Sequence, residues 1–395
     1  MNSLVIDNIG QLVTNLAELG EGPLGILRNA SIVVEGEHIV SIGPAGQLAD
    51  SCIDAAGACV LPGFVDSHSH LVFAGDRSAE FTARMAGLAY EAGGIRLTVD
   101  ATAASSDDEL FDVVAARRRE ALHAGITTME IKSGYGLSVA SELRLLQVAQ
   151  KFSADTTFLG AHLVPHEFAG RADAYVDLVC TEMMQACAPH ARFCDVFCEV
   201  GAFDVDQSRA VLTAGVAAGL IPKIHANQLG LGHGVALAVE LGCASADHCT
   251  HLSATDVDLL AGSETVATLL PAADFSTRQP YANARRLLDA GITVALATNC
   301  NPGSSNTTSR SFCLALAVRE MGMTPVEAIQ AATIGGAKAL HRSDIGTICV
   351  GVQADIIGLN ASDFVHLMYR PGVPLIRWTM AAGQVIDARW TAHLA

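Results

Sequence analysis

The segment Leu61-Pro-Gly-Phe-Val-Asp66-Ser-His68-Ser-His70 decides how the rest of the sequence is interpreted. It begins as an apolar strand and ends in two histidines that are two residues apart. Because side chains alternate along a strand, His68 and His70 point to the same side and can reach one metal ion. Parallel α/β barrels place their active sites at the carboxyl ends of their strands. The segment is therefore typical of the first strand of a metal-binding barrel.

Short apolar strands alternate with amphipathic helices through the middle of the chain. This alternation predicts repeated βα units around a parallel sheet, eight in number. The first predicted strand runs from Cys59 to His70. The other seven begin at Ile126, Thr156, Cys194, Ile221, Cys243, Thr265 and Ile292.

Two capping signals place helices between or after these strands. Amphipathic stretches begin at Val139 and at Val205, and Asp204 is positioned to cap the second. Residues Thr324 to Glu327 form a capping box with a proline at the first helical position, which predicts a helix starting there.

The two ends of the chain differ from its middle. Residues 1–58 and 344–395 contain short strands separated by turns rich in Gly, Asn and Glu. We expect them to form one small, discontinuous, β-sandwich-like domain. The fold class predicted is thus α/β, with a TIM-like (β/α)8 barrel over residues 59–343 and this β domain beside it.

Composition limits the classes of partner. A formal charge of −17 disfavours nucleic acid and anionic membranes as partners. No apolar run is long enough for a membrane span, and the first residues lack a secretory signal, so we expect a cytoplasmic protein.

The eleven cysteines contain no C-x-x-C pair and are interpreted as reduced core thiols. We expect a small-molecule substrate, and a homodimer is left open.

Other predicted strands also end in residues suited to a site. His162 ends the third strand, His225 the fifth and His248 the sixth, while the eighth ends at Asn299. A single histidine is more often an ordinary core or surface residue. Their shared placement at strand ends favours a metal-dependent active site.

This arrangement suits hydrolysis of a C–N bond. A divalent cation lowers the pKa of a bound water from about 15.7 toward 7 and polarises the carbonyl under attack. Neutral imidazoles bind zinc, iron or nickel alike, so the type of ligand does not fix the metal. A base that moves the proton and a group that stabilises the oxyanion complete the requirements.

Six motifs extend the pattern along the chain. They are PGFVDSHSHLVFAGDR (62–77), KSGYGL (132–137), TFLGAHLVP (157–165), KIHANQLG (223–230), SADHCTHL (245–252) and NPGSSN (301–306). With them the chain resembles the imidazolonepropionase family of the amidohydrolase superfamily, from about residue 57 to about residue 375. The resemblance implies hydrolysis of 4-imidazolone-5-propanoate to N-formimidoyl-L-glutamate in histidine degradation, with one Zn²⁺ or Fe ion per chain.

The resemblance also implies roles for individual residues. Metal ligands are implied at His68, His70 and His225, with position 299 as the fourth. Substrate contacts are implied at Arg77, Tyr135, His162, Gln228, Asn301, Gly303 and Ser304. The planar fork of Arg77 suits the propionate carboxylate, which the acidic protein would otherwise repel.

Position 299 departs from the family pattern, which has aspartate there. Asn299 keeps the shape and one oxygen that can coordinate a metal, but it has neither the charge nor the basicity of the carboxylate. We therefore expect impaired catalysis, with His248 as the substitute base and a pKa near neutral. Two further expectations concern Lys132, interpreted as structural, and Glu199, interpreted as a partner for a histidine.

Two alternatives stay open. Another cyclic amidohydrolase or a deaminase would carry glutamate at position 228, where this chain has Gln228. A catalytically silent binding protein on the same barrel is supported only by Asn299. Metal content together with turnover of 4-imidazolone-5-propanoate would separate the three hypotheses.

Overall fold

The computed structural model describes residues 3–88 and 94–387. The chain forms two compact units. One contains the described parts of Met1–Asp66, Arg119–Thr128 and Ser309–Ala395, and the other contains Ser67–Arg118 and Met129–Thr308, apart from residues 89–93. The boundaries predicted at 58/59 and 343/344 stay a prediction, and the last eight residues of the predicted range 344–395 lie outside the described residues.

The strands are β1 (Ser3–Val13), β2 (Ile26–Glu35), β3 (His38–Pro44), β4 (Ser51–Asp54), β5 (Cys59–Pro62), β6 (Phe64–Asp66), β7 (Ile126–Met129), β8 (Ile131–Lys132), β9 (Thr156–Ala161), β10 (Phe193–Cys198), β11 (Ile221–Pro222), β12 (Ile224–Ala226), β13 (Ser245–His248), β14 (Val266–Leu269), β15 (Val294–Leu296), β16 (Ile356–Leu359), β17 (Ile376–Ala381) and β18 (Gln384–Asp387).

The α-helices are α1 (Ser78–Met85), α2 (Ile95–Ala104), α3 (Asp107–His123), α4 (Val139–Ala149), α5 (Ala172–Leu178), α6 (Met184–Cys187), α7 (Val205–Ala217), α8 (Gly234–Glu240), α9 (Ala254–Ala261), α10 (Pro271–Thr277), α11 (Ala284–Asp289), α12 (Arg310–Glu320), α13 (Pro325–Gln330), α14 (Gly336–Ala339) and α15 (His366–Tyr369). Turns of 3₁₀-helix lie at Ala17–Leu19, His166–Phe168 and Ala188–His190, and π-helical turns at Val179–Met183 and Ala331–Gly335.

The sheet of the first unit is built from both ends of the chain. Its strand order is β18-β17-β16-β5-β1-β2-β3, and β4 also pairs with β1. Alternate side chains of these strands, including the fully buried Ile6, Ile32, Val60 and Ile356, belong to one hydrophobic cluster. The predicted β domain from the two chain ends is confirmed.

The predicted first strand, Cys59 to His70, is divided in the structure. β5 pairs with β1 and β16 of the terminal sheet, whereas β6 pairs with β7. The break falls at Gly63, whose N–H donates to the carbonyl of Asp355 (2.8 Å). A Cβ at Gly63 would lie 2.2 Å from Thr127 Oγ1. The prediction of one continuous strand was wrong because the apolar run hides a change of partner strand.

The second unit contains the parallel sheet of the barrel, in the order β15-β14-β13-β12-β10-β9-β8. Ser69, in the segment after β6, forms a parallel bridge with Cys300, which follows β15. On its other side, the Lys132 N–H donates to the Ser69 carbonyl (2.9 Å). The segment that carries the two histidines therefore joins the first and last strands of this sheet. The predicted (β/α)8 barrel is confirmed.

The capping signals act as predicted. Asp204 caps α7 and forms a reciprocal capping box with Gln207 there. The predicted helix from Val139 is α4, and its cap is Ser138, for which no capping role was predicted. Thr324 and Glu327 form a second box at α13. These helix starts are confirmed.

Two expectations from composition can be compared with the fold. All eleven cysteines are free thiols, and most of them are buried. In residues 3–88 and 94–387 no helix combines the length and the hydropathy needed to cross a membrane.

Candidate metal centre and substrate pocket

Three predicted histidines meet in the second unit. The ligand atoms of His68, His70 and His225 all lie within 4.8 Å of one another, and each residue is almost completely buried. His70 Nε2 lies 3.3 Å from His68 Nε2 and 3.4 Å from His225 Nε2. Three imidazole nitrogens that converge in this way present lone pairs to one shared point, which is the arrangement that a cation requires.

Two carboxylates stand behind these imidazoles. His68 Nδ1 is 2.6 Å from Asp247 Oδ2, and His225 Nδ1 is 3.0 Å from Asp195 Oδ2. A carboxylate at Nδ1 holds the proton there and leaves Nε2 free to bind a metal. The buried set of three imidazole donors therefore fits a divalent cation.

The two carboxylates belong to a buried ionic layer with Glu130, Lys132 and Lys223. Lys132 Nζ lies 2.8 Å from both Glu130 Oε1 and Asp195 Oδ2, and Lys223 Nζ lies 3.0 Å from Glu130 Oε2. All five side chains are inaccessible to solvent. Burial opposes the charge of Lys132, but the surrounding carboxylates outweigh it and raise the pKa of this amine above its usual range.

Burial also sets the protonation of the histidines. It lowers the pKa of His68 and of His70 well below the usual value, and the neighbouring cationic and imidazole groups act in the same direction. The imidazoles of His68 and His70 are thus neutral, as metal ligands must be.

The expectation that His248 titrates near neutral pH was wrong. His248 is 2% exposed, and burial, followed by the proximity of His225, lowers its pKa well below the usual value. Sequence alone did not reveal this burial. His248 also has a φ of +80°, a backbone conformation that L-residues rarely adopt and that often marks a functional site.

Asn299 follows β15 and is held by the backbone of the histidine segment. Its N–H donates to the His68 carbonyl (3.0 Å), and its side-chain Nδ2 donates to Ser304 Oγ (3.3 Å). Its φ is +51°, a conformation that asparagine tolerates better than most residues. Asn299 is 2% exposed and lines the cavity described next.

One cavity brings most of the predicted site residues together. It is lined by His70, Arg77, Ile95, Tyr135, His162, Phe197, His225, Gln228, His248, Asn299, Asn301 and Ser304. Of the predicted residues, His68 and Gly303 are not among those that line this cavity: His68 belongs to the histidine cluster, and Gly303 packs against Arg77. Ile95 and Phe197 were missed because single apolar residues carry no signal that separates pocket from core.

Tyr135 owes its position to a carboxylate that sequence reasoning overlooked. Glu142 accepts hydrogen bonds from the N–H groups of Gly134 (2.9 Å), Gly136 (2.7 Å) and Leu137 (2.8 Å), and so closes a loop around Tyr135. The buried Tyr135 ring lies 5.3 Å from the His162 ring.

His162 is held in a similar way by the backbone. Its Nδ1 lies 2.8 Å from the Gly134 carbonyl. Burial, then the nearby His225, lowers the pKa of His162 to about 3, so its ring is neutral.

Glu199 does not have the role expected of it. We expected a carboxylate partner for a histidine, but Glu199 Oε2 accepts the N–H groups of Gln228 (2.8 Å) and Leu229 (3.0 Å). It therefore fixes the turn that presents Gln228 to the cavity. The expectation was wrong because the turn after β12 exposes backbone donors at the point where β10 ends.

The loop after Asn299 is organised by Asn301. Asn301 Oδ1 accepts the N–H groups of Gly303 and Ser304, both at 2.8 Å, and its Nδ2 donates to the Asn299 carbonyl (2.6 Å). The Asn301 side chain thus shapes the loop that faces the cavity.

Arg77 lies at the start of α1 and is 4% exposed. Its Nε and Nη2 donate to the two carboxylate oxygens of Glu80, at 2.9 and 2.6 Å. Its guanidinium faces the backbone of Gly303. The Nε–Nη2 edge of the guanidinium is thus bound by a carboxylate of the protein itself, and the contact with a propionate stays a prediction.

Comparison with known proteins identifies the family. Residues 59–374 match the amidohydrolase family. The imidazolonepropionase of Salinispora arenicola is 63% identical over 387 residues, covering 97% of this chain and 98% of its own. The imidazolonepropionase of Mycolicibacterium smegmatis is 59% identical over 388 residues, covering 98% of each.

This chain belongs to the imidazolonepropionase family. As a member of that family, within the amidohydrolases, it is an enzyme of the hydrolase class. The family and the histidine cluster together support a bound metal ion.

More distant solved structures share the fold. The atrazine chlorohydrolase of Arthrobacter aurescens, complexed with zinc, has a TM-score of 0.71 and 20% identity, covering 99% of this chain and 97% of its own. An adenosine deaminase from Xanthomonas campestris with bound zinc has a TM-score of 0.71 and 18% identity, covering 97% and 92%. At these identities the likeness concerns the fold alone.

Proposed function

We propose that this chain hydrolyses the cyclic amide C–N bond of 4-imidazolone-5-propanoate to N-formimidoyl-L-glutamate in histidine degradation. Support comes from the imidazolonepropionase relatives and from one observation about the pocket. The same cavity is lined by histidines of the metal cluster and by the nearly buried guanidinium of Arg77. Such a cavity suits a substrate that carries both a ring carbonyl and a carboxylate.

We further propose one Zn²⁺ or Fe ion per chain, held by His68, His70 and His225, with the Asn299 oxygen as fourth ligand. When bound, the cation lowers the pKa of a water molecule and polarises the carbonyl. Asp247 and Asp195 lie beside Nδ1 of His68 and of His225 and keep the ring proton at that nitrogen, so that Nε2 is the atom that binds the metal.

The substrate is positioned by the cavity wall. Arg77 binds the propionate carboxylate, and Tyr135, His162 and Gln228 hold the ring. Gln228 offers an amide oxygen and an amide N–H, which can bind a ring N–H or carbonyl but cannot carry a proton as an acid. Asn301, Gly303 and Ser304 complete the wall, with Asn301 holding the loop that contains all three.

Proton transfer is the weak step in this chain. Asn299 cannot accept the proton of the attacking water. His248 must accept this proton instead. Because burial depresses the pKa of His248, its ring is a poor base, and we expect slow turnover. The neutral His248 ring can still accept a hydrogen bond from the water.

One observation favours a second candidate, a binding protein without catalysis. Asn299, which stands where the resemblance implies an aspartate, is the only observation that supports it. A cytoplasmic location, a homodimer and the absence of nucleic-acid and membrane partners remain predictions.

The experiment that tests the proposal combines metal analysis with product detection. Protein reconstituted with zinc or iron should hold about one ion per chain and release N-formimidoyl-L-glutamate from 4-imidazolone-5-propanoate above the rate in buffer. Binding of metal and substrate with no product would favour the silent binding protein. Release of ammonia in place of the ring-opened product would favour a deaminase.

A further inference from the structure

We propose that Glu80 is a positioning residue, which holds the Arg77 guanidinium in the orientation that binds the carboxylate of the substrate. This inference rests on the proposed function, because it names how one residue of that site is oriented.

The pairing of the two side chains is geometrically specific. Arg77 Nε lies 2.9 Å from Glu80 Oε1 and Nη2 lies 2.6 Å from Oε2, so two nearly parallel hydrogen bonds join the planar groups. Such a paired contact fixes the plane and the rotation of the guanidinium, which a single ion pair would not do. The Arg77 side chain is 2% exposed and that of Glu80 is 27% exposed. The arginine side chain is thus almost fully enclosed, whereas the glutamate that binds it is partly exposed to solvent.

The local sequence explains how the pair forms. Arg77 precedes α1, and Glu80 is the third residue of that helix. A glutamate at this position often binds the N–H group at the start of the helix. Here its carboxylate binds the Arg77 side chain, while its N–H donates to the Arg77 carbonyl (3.0 Å). The helix start therefore fixes the spacing between the two residues.

Two glycines enclose the pair. A Cβ on Gly94 would lie 2.2 Å from Arg77 Nη2, and a Cβ on Gly303 would lie 2.3 Å from Arg77 Nη1. Gly94 has a φ of −63°, so it is required for close approach and not for an unusual backbone conformation. The guanidinium lies between two stretches of backbone, with Nη1, which Glu80 does not bind, toward the loop of Gly303.

The pairing also changes what Arg77 can recognise. A buried guanidinium without a counter-charge would attract any anion. In Arg77 the charge is balanced by Glu80, so the affinity for a ligand depends on the direction of the Arg77 N–H groups. A ligand must then match the held plane of Arg77, as a carboxylate does. If Glu80 instead competed with the ligand for Arg77, removing the Glu80 charge would strengthen binding of the ligand.

The test measures binding of two probes to the metal-loaded chain by calorimetry. The first probe is 3-(imidazol-4-yl)propanoate, and the second is 4-ethylimidazole, which lacks the carboxylate. For Glu80→Gln and Glu80→Ala we expect about tenfold weaker binding of the propanoate probe, because a displaced guanidinium no longer meets the carboxylate. Binding of 4-ethylimidazole should change by less than about twofold.

A double-mutant cycle and a matched control separate orientation from charge. In the Arg77→Met background, Glu80→Gln should have no further effect, since Glu80 acts through Arg77. Asp76→Asn removes the same charge four residues earlier, where the carboxylate accepts the Ser78 N–H (2.5 Å). It should leave the affinity for the propanoate probe within about twofold of the unmodified chain.

Several results would overturn the inference. These are unchanged or tighter binding of the propanoate probe by both Glu80 variants, equal losses for the two probes, or a Glu80 effect that persists without Arg77. Turnover of 4-imidazolone-5-propanoate by the Asn299→Asp chain is measured separately. Its absence would reject the proposed function, while the comparison of the probes would still decide the role of Glu80.

Discussion

Asp247 Oδ2 lies 2.6 Å from His68 Nδ1, and both side chains are inaccessible to solvent. The same oxygen is 3.6 Å from Lys132 Nζ and 3.8 Å from Lys223 Nζ. The carboxylate therefore links the histidine cluster to the ionic layer of the barrel. It holds the His68 ring so that Nε2 faces His70.

The first prediction concerns this link. Asp247→Asn should weaken metal binding by about 10–100-fold, because an amide holds the His68 tautomer less firmly. A competitive chelator titration measures the affinity, and thermal unfolding checks that the variant is folded. As controls, His68→Ala/His70→Ala should abolish binding and Asp274→Asn should leave it unchanged. A folded Asp247→Asn protein that binds metal like the unmodified chain would contradict the assignment.

The second prediction concerns Arg77. Arg77→Met should weaken binding of the propionate-bearing substrate by about 2–4 kcal/mol, the range for a buried charge left without its partner. Arg77→Lys should recover little of this loss, since an ammonium keeps the charge but not the planar fork. The readout is KM at saturating metal, with 4-ethylimidazole affinity as the control. If both ligands lose affinity equally, Arg77 does not bind the carboxylate.

The third prediction concerns Asp274, which accepts a hydrogen bond from Thr250 Oγ1 (2.9 Å). Burial raises the pKa of this carboxyl to about 7 in the folded protein, compared with about 3.9 in an unfolded chain. The folded state therefore binds the proton more tightly. The resulting stability is fully present below about pH 4 and is lost as the pH rises through about 7.

Asp274→Asn cannot ionise and should lose this pH dependence. At pH 8.5 the variant should have a free energy of unfolding about 2–4 kcal/mol above that of the unmodified chain, and at pH 4 the difference should be small. Denaturant unfolding at a series of pH values measures it. Parallel stability curves for the two proteins would show that Asp274 does not titrate in this range.

Much of the fold could be predicted because its signals are local. The cap at Asp204 and the capping box at Thr324 define helix starts within four residues of sequence, and both helix starts are confirmed. The break at Gly63 could not be predicted in this way. It arises because β5 pairs with β16, almost three hundred residues later, and no local pattern records that choice of partner.

The histidines of the site were predictable from their shared position at strand ends. The ionic layer was not predicted, although a signal existed: the charged residues Glu130 and Lys132 alternate with the apolar Met129 and Ile131. Such residues face the barrel interior and must be paired there. The pKa of His248 was mispredicted for a related reason, because sequence does not report burial.

The final prediction concerns Asn299 and the central proposal, hydrolysis at this histidine site. Asn299→Asp restores a carboxylate that can accept the proton of the attacking water. General-base catalysis contributes about 10²–10⁴-fold, so kcat should rise by at least about a hundredfold, and substrate affinity should change less. The comparison uses saturating metal, because a carboxylate also strengthens metal binding.

The most direct measurement is therefore kcat for 4-imidazolone-5-propanoate, followed by the appearance of N-formimidoyl-L-glutamate. It compares the unmodified chain with the Asn299→Asp variant. We expect slow turnover by the first protein and at least about a hundredfold faster turnover by the second. Equal rates would show that His248 or another group carries the proton without help from position 299. No product from either protein would contradict the proposed hydrolysis itself.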